Sequence, residues 1–269
     1  MDDLCKFSSK ILYVRHGCTE FNMLEKNEKT NDLIKLKDIY LDCSLSDKGK
    51  LQIKEVSNKL TNINISTCFV SPLNRCLESI SIALEDHPNK NNITIYIEPH
   101  LTEFITGSQH NISKNIYDKK RKYNMDKEGL KFNWIFFDKF VETTEFKENH
   151  NLYFLEFIDN KIDNFDEIKE RLNKDFSIEN LKYLLENYTR SFNKKPESYT
   201  NLLKRCKKVK ETLKNFIKDS GKHELIIVMT HSAIIKMSSS KVVLGLDSID
   251  KYPEDSFLPG HADTVEITI

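Results

Sequence analysis

Lys10-Ile11-Leu12-Tyr13-Val14 is a short apolar run that leads directly into Arg15-His16-Gly17. Branched and aromatic side chains favour a β-strand, and a run this apolar indicates a strand buried within a sheet. The polar residues that follow mark the end of that strand. The sequence therefore predicts a first buried strand with an arginine and a histidine at its carboxyl end.

The pattern of a buried strand followed by a helix recurs along the chain. Further strands are predicted at residues 67–70, 94–97, 225–229 and 265–269. Between them, apolar residues recur at helical spacing after Ser46, which can cap a helix, after Ser71-Pro72, and over residues 202–216. Strands that alternate with helices predict an α/β fold, with a doubly wound, mostly parallel sheet and helices on both faces.

Residues 105–195 interrupt this alternation. They combine many charges with a dense set of aromatic residues: Phe132, Trp134, Phe136, Phe137, Phe140, Phe146, Tyr153, Phe154 and Phe157. The chain has no internal repeat and no linker rich in Pro or Gly, so we expect one domain over residues 1–269. A helical cap is expected to be inserted in it at about 105–195, with the aromatic residues as the core of that cap or, as the alternative, as a wall of the substrate site. We call residues 105–195 the inserted segment.

The charge balance limits the classes of partner. Lys+Arg and Asp+Glu are both 41 in the 269 residues, so the net charge is zero and no general attraction to nucleic acid or to anionic membranes is expected. The basic runs Lys119-Lys120-Arg121-Lys122 and 204–210 are interpreted as solvated faces. Any anion site must therefore be local.

Composition also bears on the compartment. Hydrophobic residues make up 39% of the chain and no stretch approaches the roughly 18 apolar residues of a membrane span. The start Met1-Asp2-Asp3 is acidic, which argues against a signal peptide. The six cysteines are scattered without a C-x-x-C pair, a pattern that fits neither a disulfide framework nor a zinc site. A cytoplasmic location is therefore expected.

Polar residues that suit a phosphate site follow three of the predicted strands. They are Arg15-His16-Gly17, Ser71-Pro72-Leu73-Asn74-Arg75 and Thr230-His231. In a parallel sheet ligands bind where the strands end, so these segments are expected to converge. Arginines hold phosphate oxygens in a fork of fixed donors, and a neutral imidazole can attack phosphorus. The sequence therefore predicts a phosphate site built from two arginines and two histidines.

The segment Arg15-His16-Gly17-Cys18-Thr19-Glu20-Phe21-Asn22 resembles the R-H-G-x-[ST]-x-x-N signature of the histidine phosphatase superfamily, also called phosphoglycerate-mutase-like. Further landmarks follow in the family's order: Leu45-Ser46 with Gly49, Ser71-Pro72-Leu73-x-Arg75, Leu101-Thr102-Glu103 with Gly107, Glu197-Ser198 with Arg205, and Thr230-His231-Ser232. The resemblance spans residues 10–104 and 197–269 and leaves the inserted segment uncovered. Ordered landmarks are far more specific than R-H-G alone, and they imply a single phosphoglycerate-mutase-like domain.

The resemblance implies a catalytic role for five residues. His16 would attack phosphorus and become phosphohistidine. Arg15, Arg75 and His231 would bind the equatorial oxygens of the phosphoryl group. Glu103 would protonate the leaving alkoxide and then deprotonate the water that hydrolyses phosphohistidine.

Three further residues are candidates for binding the substrate. Asn22 would hydrogen-bond the phosphate, and Thr19 and Ser232 lie in the same motifs. Cys18, beside the nucleophile, is interpreted as a packing thiol. No metal and no cofactor are expected, because the arginines and an imidazolium supply the positive charge.

Structural roles remain open as alternatives for several of these residues. His16 could be a core histidine bonded to a carbonyl, and His231 follows a run that must be buried. Arg75 could cap or pair on a surface helix. Glu103 is the least specific assignment, because L-x-E triplets are common, and Glu20 or a carboxylate of the inserted segment is the next candidate for the acid.

The residues around the motifs bear on the reaction. Phe104-Ile105-Thr106-Gly107 follows Glu103 and lacks the arginine and tyrosine that follow the acid in phosphoglycerate mutases. Ser232-Ala233 stands where those mutases have G-N. Both departures favour a phosphatase that hydrolyses a small phosphorylated substrate. The alternatives are a phosphoglycerate mutase acting on 2-/3-phosphoglycerate and a catalytically inactive interaction module on the same fold.

Overall fold

A six-stranded sheet forms the centre of the molecule in the described residues. The structure is a computed structural model that describes residues 11–24, 38–106, 109–124, 129–158, 164–177, 179–185, 196–220, 225–242 and 245–267. The strands are β1 (Ile11–Arg15), β2 (Ile65–Val70), β3 (Thr94–Ile97), β4 (Lys131–Asn133), β5 (Leu225–Thr230) and β6 (Thr264–Glu266). Their order across the sheet is β4-β3-β2-β5-β1-β6, and all but β6 run parallel.

Helices connect the strands. They are α1 (Glu20–Met23), α2 (Asp47–Leu60), α3 (Asn74–Leu84), α4 (Ile116–Asn124), α5 (Ile135–Glu142), α6 (Phe165–Lys174), α7 (179–185), α8 (Tyr199–Ser220) and α9 (Ser232–Ser239). Single turns of 3-10 helix lie at Asp38–Tyr40, Lys90–Asn92, Pro99–Leu101 and Gln109–Asn111, and a longer one at His150–Phe157. As predicted, Ser46 caps α2, since its side chain accepts a hydrogen bond from the backbone N of Gly49 at 3.2 Å.

Strand β5 shows that the sheet is covered on both faces. Ile227 and Met229 pack into the apolar cluster that includes α2 and α3, whereas Ile226 and Val228 pack into the cluster that includes α8 and α9. A strand buried on both faces needs apolar residues at every position, which explains the unbroken apolar run. The predicted α/β fold, with a doubly wound and mostly parallel sheet and helices on both faces, is confirmed.

The inserted segment contributes to the central sheet as well as to the helices. Strand β4 lies within it and pairs in parallel with β3, with Phe132 opposite Ile95. The sequence pattern does not predict β4, because three residues are too few for a periodic signal. Phe137, Tyr153 and Phe154 are fully buried and join the apolar cluster of α2 and α3. The limits of the insertion, at about 105 and 195, stay a prediction.

Two lysines of the basic runs are buried, so their interpretation as solvated is wrong. Lys119 is 4% exposed and Lys210 is 3% exposed. The reason at Lys119 is a buried carboxylate: its Nζ pairs with Asp42 and also donates to the O of Pro72 at 2.8 Å. Asp42 in turn accepts a hydrogen bond from the backbone N of Asn74 at 2.8 Å, which fixes the start of α3.

Some predictions fall on residues that the structure does not describe. Gly107 of the landmarks and residues 268–269 of the last predicted strand lie outside the described ranges. None of the helices in the part of the chain described here has the length and apolar character of a transmembrane span.

Candidate active site

The three polar segments predicted to converge do meet at one edge of the sheet. Strands β1, β5 and β2 are neighbours, and Arg15 lies opposite Thr230 in register. The backbone N of Ser71 donates to the O of Met229 at 3.1 Å, just beyond the end of β2. The carboxyl ends of these strands therefore place Arg15-His16, Ser71 to Arg75 and Thr230-His231 around a common point.

His16 is a buried, neutral imidazole with a defined tautomer. Its Nδ1 lies 2.7 Å from the carbonyl O of Gly17, and because a carbonyl only accepts, Nδ1 carries the proton. Nε2 keeps its lone pair and accepts a hydrogen bond from Nε of Arg75 at 3.2 Å. Burial, together with the charges of Arg75 and Arg15, holds the pKa of His16 well below its usual range. The nitrogen that could attack phosphorus therefore faces a guanidinium.

Arg75 is held in place by the start of the inserted segment. It lies in the first turn of α3 and is 2% exposed. Its Nη1 donates to the O of His110 at 2.7 Å and its Nη2 donates to Oδ1 of Asn111 at 3.0 Å. Asn111 also donates to the O of Phe104 at 2.9 Å. Asn111 thus ties Arg75 to the residue that follows Glu103.

Arg15 is held by residues 259–263, close to the end of the described chain. Its Nη1 donates to the O of Pro259 at 2.9 Å, and its Nη2 donates to Nε2 of His261 at 3.1 Å. The backbone N of Arg15 donates to the O of Asp263 at 3.0 Å. The rings of His16 and His261 have their centroids 6.0 Å apart. A histidine that the motifs do not include thus lies beside the candidate nucleophile.

His231 lies on the other side of His16. It is fully buried at the start of α9, and its ring centroid is 5.1 Å from that of His16. Its Nε2 is 2.8 Å from Oγ of Ser71. Burial, followed by the charge of Arg75, holds the pKa of His231 well below its usual range. Both histidines are therefore neutral at pH 7, and the positive charge of the site comes from its two arginines.

Glu103 lies next to the start of α9. Its Oε2 accepts a hydrogen bond from Oγ of Ser232 at 3.3 Å, and its Oε1 accepts one from the backbone N of Phe104 at 2.8 Å. Its charge also acts on Arg15, where it opposes the lowering of the pKa that burial causes. The carboxylate of Glu103 therefore lies close enough to Arg15 for the two charges to interact.

A buried ion pair holds the segment that carries Glu103. Nε and Nη2 of Arg205 each donate to one oxygen of Glu197 at 2.7 Å. Nη1 of Arg205 donates to the carbonyls of His100 and Thr102 at 2.8 and 2.6 Å. Arg205 and Glu197 are 4% and 0% exposed. This explains the E-S…R landmark in structural terms, since it fixes the backbone on which Glu103 sits.

Thr19 and Asn22 form a reciprocal cap at the start of α1. Oγ1 of Thr19 accepts from the backbone N of Asn22 at 3.1 Å, and Oδ1 of Asn22 accepts from the backbone N of Thr19 at 3.1 Å. The structure thus gives these two candidate substrate-binding residues a structural role in the loop after His16. Their predicted contact with phosphate stays a prediction.

The glycines of two landmarks allow that loop to approach α2. A Cβ added to Gly49 would lie 2.0 Å from the carbonyl O of Cys18, and one added to Gly17 would lie 2.5 Å from the O of Gly49. Both contacts are with backbone, which cannot move aside cheaply. The close approach also lets Oγ of Ser46 donate to the O of Cys18 at 3.0 Å. The loop that carries His16 is therefore docked on α2.

The sequence predicts most residues of the site, but it does not predict the hydrogen-bond acceptors that orient the two arginines. Arg15, His16, Arg75, Glu103, His231 and Ser232 all lie in the contacts described above. Asn111 and His261 were not among the predicted residues. Asn111 has no motif around it, and His261 is 246 positions away from Arg15 in the sequence. The turn residues Pro259, Gly260 and Asp263 are the local sign that the chain bends at His261.

The fold and this cluster define a class: an α/β protein with a buried histidine flanked by two arginines at the carboxyl edge of its sheet. Residues 11–133 match the family model of the histidine phosphatase superfamily (branch 1). Over these residues, which hold the landmarks from Arg15 to Glu103, the chain is similar to the histidine phosphatase superfamily. No curated protein sequence matches the chain.

Solved structures to which this chain is similar include two phosphatases and a mutase. An ecdysone phosphate phosphatase from Bombix mori, in complex with tungstate, is 13% identical, with a TM-score of 0.54 over 96% of this chain and 88% of that chain. A phosphoglycerate mutase from Bacillus anthracis is 16% identical, with a TM-score of 0.46 over 96% and 86%. A mycobacterial glucosyl-3-phosphoglycerate phosphatase is 13% identical, with a TM-score of 0.46 over 97% and 90%. The first of these likenesses shows a shared fold, and none of them bears on the activity of this chain.

Proposed function

We propose that this protein is a metal-independent phosphatase that hydrolyses phosphate monoesters through a phosphohistidine intermediate. The observation that carries the proposal is the neutral His16, with its proton on Nδ1 and its Nε2 lone pair facing Arg75 at 3.2 Å. An imidazole in this form is a nucleophile, and the adjacent guanidinium is suited to bind the group that it attacks.

The first half-reaction transfers the phosphoryl group to His16. A charged phosphate oxygen is a stronger hydrogen-bond acceptor than an imidazole. A bound phosphate would therefore accept the hydrogen bond from Nε–H of Arg75 and leave the lone pair on Nε2 of His16 free. Nε2 then forms a bond to phosphorus while the bond from phosphorus to the leaving oxygen breaks. Glu103 would give its proton to the leaving alkoxide, which requires it to bind substrate in its protonated form.

The second half-reaction returns the enzyme to its starting state. Water attacks the phosphorus of phosphohistidine, Glu103 takes a proton from that water, and the P–N bond breaks with its electron pair returning to His16. Arg15 and Arg75 neutralise the charge on the phosphoryl oxygens through both steps, which is the electrostatic work that a metal ion performs in other phosphoryl-transfer enzymes. Ser232, 3.3 Å from Glu103, would orient its carboxyl group.

The test is hydrolysis of p-nitrophenyl phosphate in the presence of a chelator, with rapid quenching to trap the intermediate. We expect release of inorganic phosphate and a phosphoryl label that is labile in acid and stable in base. We also expect vanadate to raise the melting temperature, as a ligand of the folded state must. Interconversion of 2- and 3-phosphoglycerate without release of phosphate would instead support the mutase. Absence of both turnover and vanadate binding would support an inactive interaction module.

A further inference from the structure

The two site arginines are held by acceptors that carry no charge. Arg15 is held by the carbonyl of Pro259 and by Nε2 of His261. Arg75 is held by the carbonyl of His110 and by the amide oxygen of Asn111. By contrast, Arg205 is paired with a carboxylate, that of Glu197. A neutral acceptor orients a guanidinium without neutralising it, so the charges of Arg15 and Arg75 remain available for a phosphate.

The hydrogen bond from Arg15 defines the state of His261. Because Nη2 of Arg15 is always a donor, Nε2 of His261 must be the acceptor and its proton must lie on Nδ1. Nε of Arg15 is buried and has no hydrogen-bond partner among the described residues. A buried guanidinium N–H without a partner is costly. Pro259 and His261 hold Nη1 and Nη2 of Arg15, which leaves its Nε–H as a donor that a phosphate oxygen could use.

The backbone around His261 is fixed. The backbone N of Gly260 donates to Oδ2 of Asp263 at 2.6 Å, and the backbone N of Asp263 donates back to the O of Gly260 at 3.3 Å. Ala262 adopts a left-handed φ of 60°, and its backbone N donates to the O of His16 at 3.3 Å. The turn therefore docks on the nucleophile's own backbone and presents the His261 ring to Arg15.

We propose that His261 is a positioning residue that orients Arg15 for binding the substrate phosphate, a role that rests on the proposed function. His261 acts through Arg15: its Nε2 fixes the rotation of the guanidinium plane so that the unpaired donor faces the phosphate. Without that acceptor, Arg15 keeps only the carbonyl of Pro259 and loses its defined orientation. The affinity of the site for a phosphate dianion should then fall while the chemistry at His16 is retained.

The test compares two replacements of His261 in the full-length protein. His261→Leu keeps much of the side-chain volume and removes the acceptor, whereas His261→Gln supplies a neutral oxygen acceptor. Ala262→Gly is the matched control, because it alters the same turn and glycine readily adopts its positive φ. The measurements are the dissociation constant of vanadate by calorimetry, KM and kcat on p-nitrophenyl phosphate, and the melting temperature.

We expect His261→Leu to weaken vanadate binding and to raise KM by about tenfold, with a smaller effect on kcat, as the loss of one oriented charged hydrogen bond predicts. His261→Gln and Ala262→Gly should stay within about twofold of the wild type. If His261→Leu does not fold, His261→Ala replaces it in the same comparison. Equal loss in the Leu and Gln variants, or unchanged vanadate binding in a folded Leu variant, overturns the role of His261. A wild type that binds vanadate but hydrolyses no monoester would count against the proposed function alone.

Discussion

Nε of Arg75 and Nε2 of His16 lie 3.2 Å apart, and this hydrogen bond has only one possible direction. The guanidinium must donate, so Nε2 must carry a lone pair, and the proton of His16 must lie on Nδ1 against the carbonyl of Gly17. Arg75, the residue proposed to bind the phosphate, thus fixes the imidazole in the tautomer that the proposed nucleophile requires. The proposed mechanism therefore couples substrate binding to activation of the nucleophile through one guanidinium N–H.

Replacing His16 tests whether it is the nucleophile. His16→Ala removes the imidazole, and we expect kcat to fall by at least about 10⁴-fold, because loss of a covalent nucleophile has effects of this order in other enzymes. The measurement is turnover of p-nitrophenyl phosphate, with labelled substrate to detect the covalent intermediate. Cys18→Ala is the control, since its Sγ contacts Met23 rather than His16. Label on Cys18, or retained turnover in His16→Ala, would contradict the mechanism.

Glu103 should matter most when the leaving group is poor. Glu103→Gln removes the acid while preserving shape, so alkyl phosphates should lose at least about 100-fold in kcat. Hydrolysis of p-nitrophenyl phosphate should lose far less, because its phenolate leaves without a proton. Glu20→Gln is the control, since Glu20 is exposed in the first turn of α1. Equal losses on both substrates in the Glu103 variant would place the acid elsewhere, and a loss confined to Glu20→Gln would identify Glu20.

The fold could be predicted from sequence wherever its signal was local. The run before Arg15 and the run 225–229 were long and apolar enough to indicate buried strands, and Ser46 sat where a helix cap is expected. Strand β4 was missed because its three residues owe their conformation to pairing with β3. The burial of Lys119 was missed for a related reason. Its partner Asp42 lies far away in the sequence, and nothing within the basic run indicates that a carboxylate will pair with Lys119.

The site shows the same division. His16 and Arg75 belong to compact motifs, so each could be assigned from its neighbours in sequence. Asn111 and His261 contribute only an acceptor to an arginine far away in the chain, and such a contact leaves no periodic or motif signal. Motifs therefore predicted the groups that the structure brings together at the carboxyl ends of the strands. They did not predict Asn111 and His261, which orient the two arginines, because these contacts form only when the chain has folded.

The two neutral histidines should make stability depend on pH. The pKa values of His16 and His231 lie well below their usual value in the folded protein, chiefly through burial. Below about pH 6.5 the unfolded chain therefore binds protons that the folded chain excludes. Stability is full above this pH and is lost as the pH falls, by up to about 1.4 kcal/mol per pH unit for each histidine.

Urea unfolding at several pH values measures this effect. We expect the free energy of unfolding to decrease between about pH 7 and pH 5.5 in the wild type, and to decrease less steeply in His16→Gln, which has one fewer excluded proton. The difference in slope between the two proteins isolates the contribution of His16. An identical slope in both would mean that His16 has an ordinary pKa in the folded state.

The ion pair of Arg205 and Glu197 should be necessary for stability and for the placement of Glu103. Arg205→Met leaves a buried carboxylate without its partner, and we expect a loss of about 3–5 kcal/mol in the free energy of unfolding. Adding Glu197→Leu should recover part of that loss, because no unpaired charge then remains. Lys208→Met is the control on the same helix. The side chains of its pair with Glu211 are 59% and 65% exposed, so its loss should cost less than about 0.5 kcal/mol. A small effect of Arg205→Met would show that water reaches Glu197.

The last prediction is that the inserted segment sets substrate specificity while the core motifs set the chemistry. The link between the two is His110, whose ring stacks on Phe21 with centroids 4.0 Å apart and planes 21° apart. Phe21 belongs to α1, just after the loop that carries His16, and the carbonyl of His110 holds Arg75. We therefore expect a leaving group bound beside Arg75 to contact the side chain of His110.

His110→Ala removes the ring and keeps the backbone carbonyl, so the hydrogen bond to Arg75 should survive. Variants of Trp134 or Phe136 would be less informative, because Trp134 is 3% exposed and Phe136 packs against Phe69 of the central sheet. We expect His110→Ala to keep kcat on p-nitrophenyl phosphate within about twofold and to change the ratio of kcat/KM between natural monoesters by about tenfold, the size of one lost side-chain contact. Tyr117→Ala is the matched control in the same segment, because Tyr117 is 57% exposed and stacks on His150 instead. If both variants leave the ranking of substrates unchanged, the start of the inserted segment is structural, and specificity must come from residues 23–41 instead.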